Sequence, residues 1–297
     1  MTSHGFEPPE KSTNVRSLPW TLQLLGAGLR SMGHLAPITT GDLITHLMTT
    51  TWRPRAPMRE VETRRTALPV DVQLNGTRLA AMQWGEGPAV VLAHGWNGRG
   101  TQLGAFVGPL CRRGYRVVAF DAPGHGRTAG HRTTLTAFAD SITAVAGAVG
   151  PVHAVIGHSA GALAAMLAQV AGLQAGRLVL LAPSSGPHDW VEELATQLRL
   201  GNDVKQRIID RIEDHMARWP SIRSPDVARS VDAPMLVCHD RDDPHVDWES
   251  ARAIAAAAPQ AALVTTQGLG HHRILRDPDV VDRVVDFVDD IVPRSRA

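Results

Sequence analysis

Apolar and polar positions alternate along this chain in two rhythms, one near every third or fourth residue and one in short unbroken runs. Leu22, Leu25, Leu29 and Met32 are spaced for one face of a helix. Pro37 interrupts, Thr39, Thr40 and Asp42 offer an N-cap, and Leu43, Ile44, Leu47 and Met48 form a second apolar face. The two predict a helical hairpin packed on the main domain. A membrane-surface or substrate-entrance element is the other reading, and the few basic residues on the polar face weigh against a membrane. Met1 to Ser17 is polar and expected to be disordered, and the Arg/Pro-rich stretch Trp52 to Arg65 reads as a connector.

Val70 to Leu74 and Thr77 to Trp84, joined by Asn75-Gly76, predict a β-hairpin with a type I′ turn. Ala89 to Ala93 is unbroken in its apolarity, as a strand buried on both faces must be. Strands and helices then alternate: Leu103 to Arg113 helix, Arg116 to Phe120 strand, Leu135 to Val149 helix, a strand from Val152 that stops at Gly157, Ala162 to Gln169 helix, Arg177 to Leu181 strand. That order predicts a mostly parallel, doubly wound α/β sheet. It stops after Ala182-Pro183-Ser184-Ser185-Gly186. Val191, Leu194, Leu198, Val204, Ile208, Ile212 and Met216 return to helical spacing, a helical excursion of about 45 residues that would cap the C-terminal edge of the sheet. The sheet resumes with Met235 to Cys238 and Ala262 to Thr266, separated by the helix Trp248 to Ala257, and Asp279 to Val292 closes the chain as an amphipathic helix. The expected division is an N-terminal extension (1–65), a first core segment (66–185), a helical cap (186–231) and a second core segment (232–297).

Composition narrows the function classes. The chain has 297 residues, 43% hydrophobic and 20% charged, and a net charge of +1. A large core is affordable, and no basic excess points to nucleic acid. Cys111 and Cys238 make no disulfide framework and read as small buried hydrophobes; no CxxC or HExxH motif offers a metal site. Neither a signal-peptide pattern nor an 18-residue apolar run is present, so a soluble cytoplasmic protein is expected.

The densest chemistry lies at Gly157-His158-Ser159-Ala160-Gly161, between a predicted strand and a predicted helix. A strand turning directly into a helix presses backbone on backbone, so glycines flank the apex. The Ser159 hydroxyl is thrust out at the sheet edge, and the Ala160 N–H points the same way, able to receive a negative oxygen. A serine hydroxyl needs a base and the base needs an orienting acid. In an open α/β sheet both belong on loops after strands. Met235 to Cys238 runs into His239-Asp240-Arg241-Asp242-Asp243-Pro244, and Leu263 to Thr266 runs into Gly268-Leu269-Gly270-His271-His272.

Together with His94-Gly95-Trp96 and Phe120-Asp121-Ala122-Pro123-Gly124-His125-Gly126, these stretches resemble the α/β-hydrolase family from about Leu68 to Pro293. The resemblance implies an α/β-hydrolase fold with a helical cap insertion and an N-terminal helical extension. It implies Ser159 as nucleophile, His271 as general base and acid, Asp243 as the orienting acid, and the Trp96 and Ala160 N–H groups as the oxyanion hole. Asp240 stands where the family has glycine, which leaves Asp242 as a rival acid and Asp189 as a minor one. His158 reads as a packed, hydrogen-bonded neighbour, His94 and His125 as loop braces, Asp121 as a turn anchor and His272 as a cap-facing or solvent-facing residue. The implied activity is ester hydrolysis through an acyl-enzyme, with a small-molecule ester substrate and no cofactor. Acyl transfer, or lactone, amide or C–C cleavage by the same groups, stays open. So does a ligand-binding protein without turnover. An aspartate nucleophile and a phosphate-binding loop are both absent, so dehalogenase, epoxide hydrolase and nucleotide-driven chemistry have no support.

Overall fold

The computed structural model describes residues 20–216 and 222–289, with side chains from residue 26 onward. Met1 to Ser17, the side chains of Leu22 and Leu25, and the predicted closing helix beyond Asp289 lie outside the described residues. The chain opens with α1 (Trp20–Leu35), α2 (Pro37–Thr49) and α3 (Met58–Arg65). The last of these falls in the expected connector. It is too polar to show an apolar stripe, and tertiary partners hold it instead: Arg64 reaches Asp121 at 3.1 Å, and the Trp84 Nε1–H donates to the Thr63 carbonyl at 3.1 Å.

The hairpin forms as predicted from β1 (Leu68–Leu74) and β2 (Thr77–Trp84), with Asn75 at φ 47° and Gly76 at φ 77°. Then follow β3 (Ala89–Ala93), α4 (Val107–Arg112), β4 (Arg116–Asp121), α5 (Leu135–Val149), β5 (Val152–His158), α6 (Ala160–Val170) and β6 (Ala175–Leu181). The helix predicted from Leu103 to Arg113 is in fact a 3-10 helix, Gly100–Phe106, running into α4 with a kink at Leu103. Its glycines and Pro109 are poor formers of a continuous α-helix. After the excursion α7 (Pro187–Leu198), α8 (Asn202–His215) and α9 (Ser224–Arg229) come β7 (Met235–Asp240), α10 (Trp248–Ala257), β8 (Ala261–Thr266), α11 (Gly270–Arg273) and α12 (Pro278–Val288).

Among the described residues the strands form one eight-stranded sheet in the order β1-β2-β4-β3-β5-β6-β7-β8. Only the β1–β2 and β2–β4 pairings are antiparallel. Alternate residues of the central strands feed two separate cores. Val91, Val118, Val155 and Leu180 pack with α5 and α6 on one face; Val90, Leu92, Ile156 and Val179 pack with α4 and α12 on the other. Burial on both sides is why these strands read as unbroken apolar runs.

The N-terminal hairpin does not pack mainly on the sheet domain, as expected, but on the cap. Leu29 and Ile44 bury themselves against Val191, Val204 and Ile208 in a small separate cluster. Asp42 takes Arg207 at 2.9 and 3.1 Å and Arg211 at 3.2 Å, and Arg30 donates to the Leu198 carbonyl at 3.0 Å. The amphipathic stripes of α7 and α8 need a cover, and α1 and α2 supply it. These four helices form a roof. Its foot is tied to the core where the Thr51 N–H donates to the His131 carbonyl at 2.9 Å and Arg132 donates to Thr49 Oγ1 at 2.8 Å. α9 leaves the roof and lies against α6 and α10.

Candidate active site

Ser159 sits between β5 and α6 at φ 53°, ψ −118°, a conformation that L-residues avoid. The surroundings over-determine it. Its N–H donates to the Leu181 carbonyl at 3.0 Å, and its carbonyl accepts the Ala162 N–H at 3.0 Å. A Cβ on Gly161 would lie 2.3 Å from the His94 carbonyl oxygen, and one on Gly157 would lie 2.6 Å from Ala162 Cα, so no side chain fits at either position. Close backbone approach is thus the reason for both glycines, as the sequence predicts.

Asp243 and His271 are brought together. The His271 Nδ1–H donates to Asp243 Oδ2 at 2.7 Å, while Oδ1 accepts the N–H groups of His245 at 2.8 Å and Val246 at 3.1 Å. Burial opposes ionisation of Asp243, but hydrogen bonds from His239, His271 and the His245 N–H outweigh it and hold the carboxyl far below the usual carboxylate range. His271 Nε2 has no hydrogen-bond partner among the described residues, and neither does the Ser159 hydroxyl; both residues face one cavity of about 580 Å³.

The rival acids lie elsewhere. Asp242 accepts the Gly268 N–H at 3.0 Å, and Asp189 is exposed on the first turn of α7. Asp240, at the family's glycine position, is fully buried and staples the two loops together. It accepts Thr266 Oγ1–H at 2.7 Å, the Leu269 N–H at 2.9 Å and the Asp242 N–H at 3.0 Å. Against its burial these bonds keep its carboxyl below the usual range.

Trp96 and Ala160 lie beside Ser159 on the same cavity, and among the described residues neither backbone N–H has a hydrogen-bond partner. The loop carrying Trp96 is braced by histidines. The His94 Nδ1–H donates to the Gly95 carbonyl at 2.7 Å and its Nε2 accepts the Ala122 N–H at 3.0 Å. His125 Nε2 accepts the Asn97 N–H at 3.0 Å. Burial pushes His94 down to about 4 and His125 down to about 3, so both stay neutral braces. Asp121 anchors its turn by accepting the N–H groups of Gly100 at 2.8 Å and Arg127 at 2.9 Å. His158 donates from Nε2 to the His271 carbonyl at 3.0 Å; burial, with His271 and His272 nearby, keeps its ring well below the usual imidazole range. Cys238 is buried, Cys111 partly so, and both are free thiols.

Sequence reasoning assigned no role to His245, whose N–H binds Asp243 and whose ring lies 5.3 Å from that of His271. It also could not sort core from pocket in the helices. Trp190, Ile212 and Met216 from the cap and Met48 from α2 face the cavity, so the N-terminal extension contributes to its lining. Periodicity marks these residues as apolar without saying what they face. Among the described residues no three His, Cys, Asp or Glu side chains are grouped to hold a metal ion, and no helix is long and apolar enough to cross a membrane.

Known proteins agree with this architecture. Residues 90–220 match the Alpha/beta hydrolase family, and residues 209–290 match the family described as TAP-like protein. A non-heme haloperoxidase of Rhodococcus erythropolis is 34% identical over 99 residues, 32% of this chain and 35% of that protein, so this match spans about a third of the relative. A non-heme chloroperoxidase of Streptomyces lividans is 26% identical over 70% of this chain and 94% of its own length. The esterase EaEST from Exiguobacterium antarcticum superposes with a TM-score of 0.60 at 18% identity, covering 75% of this chain and all of the esterase. With its strand order, its strained serine between strand and helix, and family matches running from residue 90 to residue 290, the chain belongs to the α/β-hydrolase family.

Proposed function

We propose that the chain hydrolyses a carboxylic ester through an acyl-enzyme on Ser159. The supporting observation is His271, held through Nδ1 on a buried carboxylate with Nε2 turned to the cavity that Ser159 enters. Ser159 Oγ attacks the ester carbonyl carbon while His271 Nε2 takes its proton. The oxyanion forms against the unpartnered N–H groups of Trp96 and Ala160. His271 then passes the proton to the leaving alcohol as the C–O bond breaks. Water repeats the sequence in reverse: His271 takes its proton, hydroxide adds to the acyl carbon, and Ser159 leaves with the proton returned. The Oγ–Nε2 hydrogen bond forms when substrate fills the site, as such bonds commonly tighten on binding. A cavity of about 580 Å³ under an apolar roof suits an apolar acyl or alcohol group.

The test is release of nitrophenol from short-chain esters, together with labelling by a fluorophosphonate. Ser159→Ala should lose both the turnover and the adduct. An unlabelled native protein without ester turnover would favour a ligand-binding role. The haloperoxidase names of the curated relatives favour a second acceptor: hydrogen peroxide in place of water would release a peracid from the same acyl-enzyme. Peroxide-dependent bromination that requires a carboxylic acid and is lost in Ser159→Ala would establish it.

A further inference from the structure

A second cleft, of about 460 Å³, adjoins the ester cavity; Pro54, Gln102 and His272 line both. Its walls differ in kind. Into the first cavity the roof turns the apolar side chains of Met48, Trp190, Ile212 and Met216, whereas the second is lined by Arg55, Arg59, Arg99 and Arg276 with one carboxylate, Glu60. Glu60 is already matched. It is buried, accepts from Arg99 Nη1 at 2.7 Å and lies 3.4 Å from Thr101 Oγ1; Arg99 spends its other arm on the Pro54 carbonyl. Arg59 touches Glu60 only at 3.8 Å. The guanidinium groups of Arg55 and Arg276 have no hydrogen-bond or ion-pair partner among the described residues. Three exposed guanidinium groups therefore border a cleft in which Glu60, the one carboxylate among its described lining residues, is neutralised by a fourth.

The cleft is also coupled to the site through the backbone. His272 follows His271, and Arg276 follows four residues later on a segment anchored by the buried Ile274 and Leu275. The loop that carries the candidate base thus supplies one wall of the charged cleft. Guanidinium forks match the paired oxygens of carboxylates and phosphates.

We propose that this cleft binds the anionic end, a carboxylate or phosphate, of a substrate whose ester carbonyl lies at Ser159. The proposal rests on the ester reading for its second half only. The substrate class is then a two-ended ester, apolar beneath the roof and anionic beside His272.

Two measurements on the full chain test it, in low-salt buffer because exposed charges are screened by salt. The first is calorimetric titration with inorganic phosphate and, separately, succinate, into the native protein and into Arg55→Gln/Arg59→Gln/Arg276→Gln. Saturable binding that weakens about tenfold or more in the variant is expected, and the tighter probe names the group. No saturable binding, or equal binding by both proteins, overturns the proposal. The second compares nitrophenyl butyrate with nitrophenyl hydrogen glutarate, charged on the acyl side, and 4-carboxyphenyl butyrate, charged on the alcohol side. The kcat/KM ratio of one charged ester to the neutral ester should fall about tenfold in the variant; unchanged ratios for both overturn the link to Ser159. Anion binding is read without turnover, so a protein that binds phosphate and cleaves no ester loses the ester reading and keeps the cleft.

Discussion

Asp243 at the sheet edge and Asp42 in the roof are both paired carboxylates, yet they sit in opposite surroundings. The Asp243 side chain is fully enclosed and is held by His271, by two backbone N–H groups and by the nearby His239 at 3.4 Å. The Asp42 side chain is 41% exposed and shares Arg207 and Arg211 across the seam between α2 and α8. An enclosed carboxylate with every lone pair taken has one position; a solvated ion pair contributes little and lets its partners move. The same division runs through both regions. The edge rests on a continuous core and backbone-to-backbone contact, the roof on a small apolar cluster and surface charges. The edge is therefore held rigidly, and the roof is the easier of the two to deform; on the proposed function, the first would place the reacting groups and the second would shape what reaches them.

The largest effect expected of this division is at Gly161. A Cβ there meets two backbone carbonyls, those of His94 and Ala93, at 2.3 and 2.5 Å. Neither can yield, so Gly161→Val should cost more than about 4 kcal/mol and leave little folded protein by circular dichroism. A stable, folded variant would mean that the edge is as pliant as the roof.

Next comes Asp243→Asn. If Asp243 orients His271, the change should lower kcat for ester hydrolysis by roughly 10³-fold or more with little change in KM. Asp242→Asn, acting only on the Gly268 N–H, should cost far less. Equal losses in the two variants would dissolve the distinction between the neighbouring acids.

The pH dependence of stability should also belong to the edge. His94 titrates at about 4 and His125 at about 3 when folded, chiefly because both are buried, against about 6.5 when unfolded. Below pH 6.5 the unfolded chain binds protons that the folded chain refuses. Stability is therefore full above about pH 6.5 and declines as pH falls toward 4, by roughly 1.4 kcal/mol per pH unit for each ring. His158, also held low by burial, acts with the same sign. Chemical denaturation at pH 7 and pH 5 measures this; a flat profile would contradict it.

The smallest effect should come from the roof. Ile208 is fully buried within its cluster, so Ile208→Ala should cost about 2–4 kcal/mol, spent locally. Faster hydrogen exchange confined to α1, α2, α7 and α8, with a changed preference for ester chain length, is the expected readout. Loss of protection across the sheet would show that roof and core open as one unit.

Much of the edge was legible because its signals are local. Gly157 and Gly161 exclude side chains within one five-residue turn, and Asn75-Gly76 specifies its own hairpin. The order of Ser159, Asp243 and His271 could be read because each follows an apolar strand. Asp240 was harder. It looked like a departure from a glycine pattern, and its value as a staple depends on Thr266 and Leu269, which only the sheet brings near. α3 was missed because it has almost no apolar face; Glu60 meeting Arg99 and Arg64 meeting Asp121 secure it.

By itself, then, the sequence determined the α/β alternation, the strained serine turn and the order of the polar loops. Periodicity and glycine sterics act within a few residues and need no distant partner. Only the tertiary structure decided that the N-terminal hairpin covers the cap, that Met48 and Trp190 face one cavity, and that Arg55 and Arg276 line one cleft. An amphipathic pattern says that a face must be buried and a charge pattern says that a side chain is polar. Which distant segment answers each is settled by the packing of the whole chain.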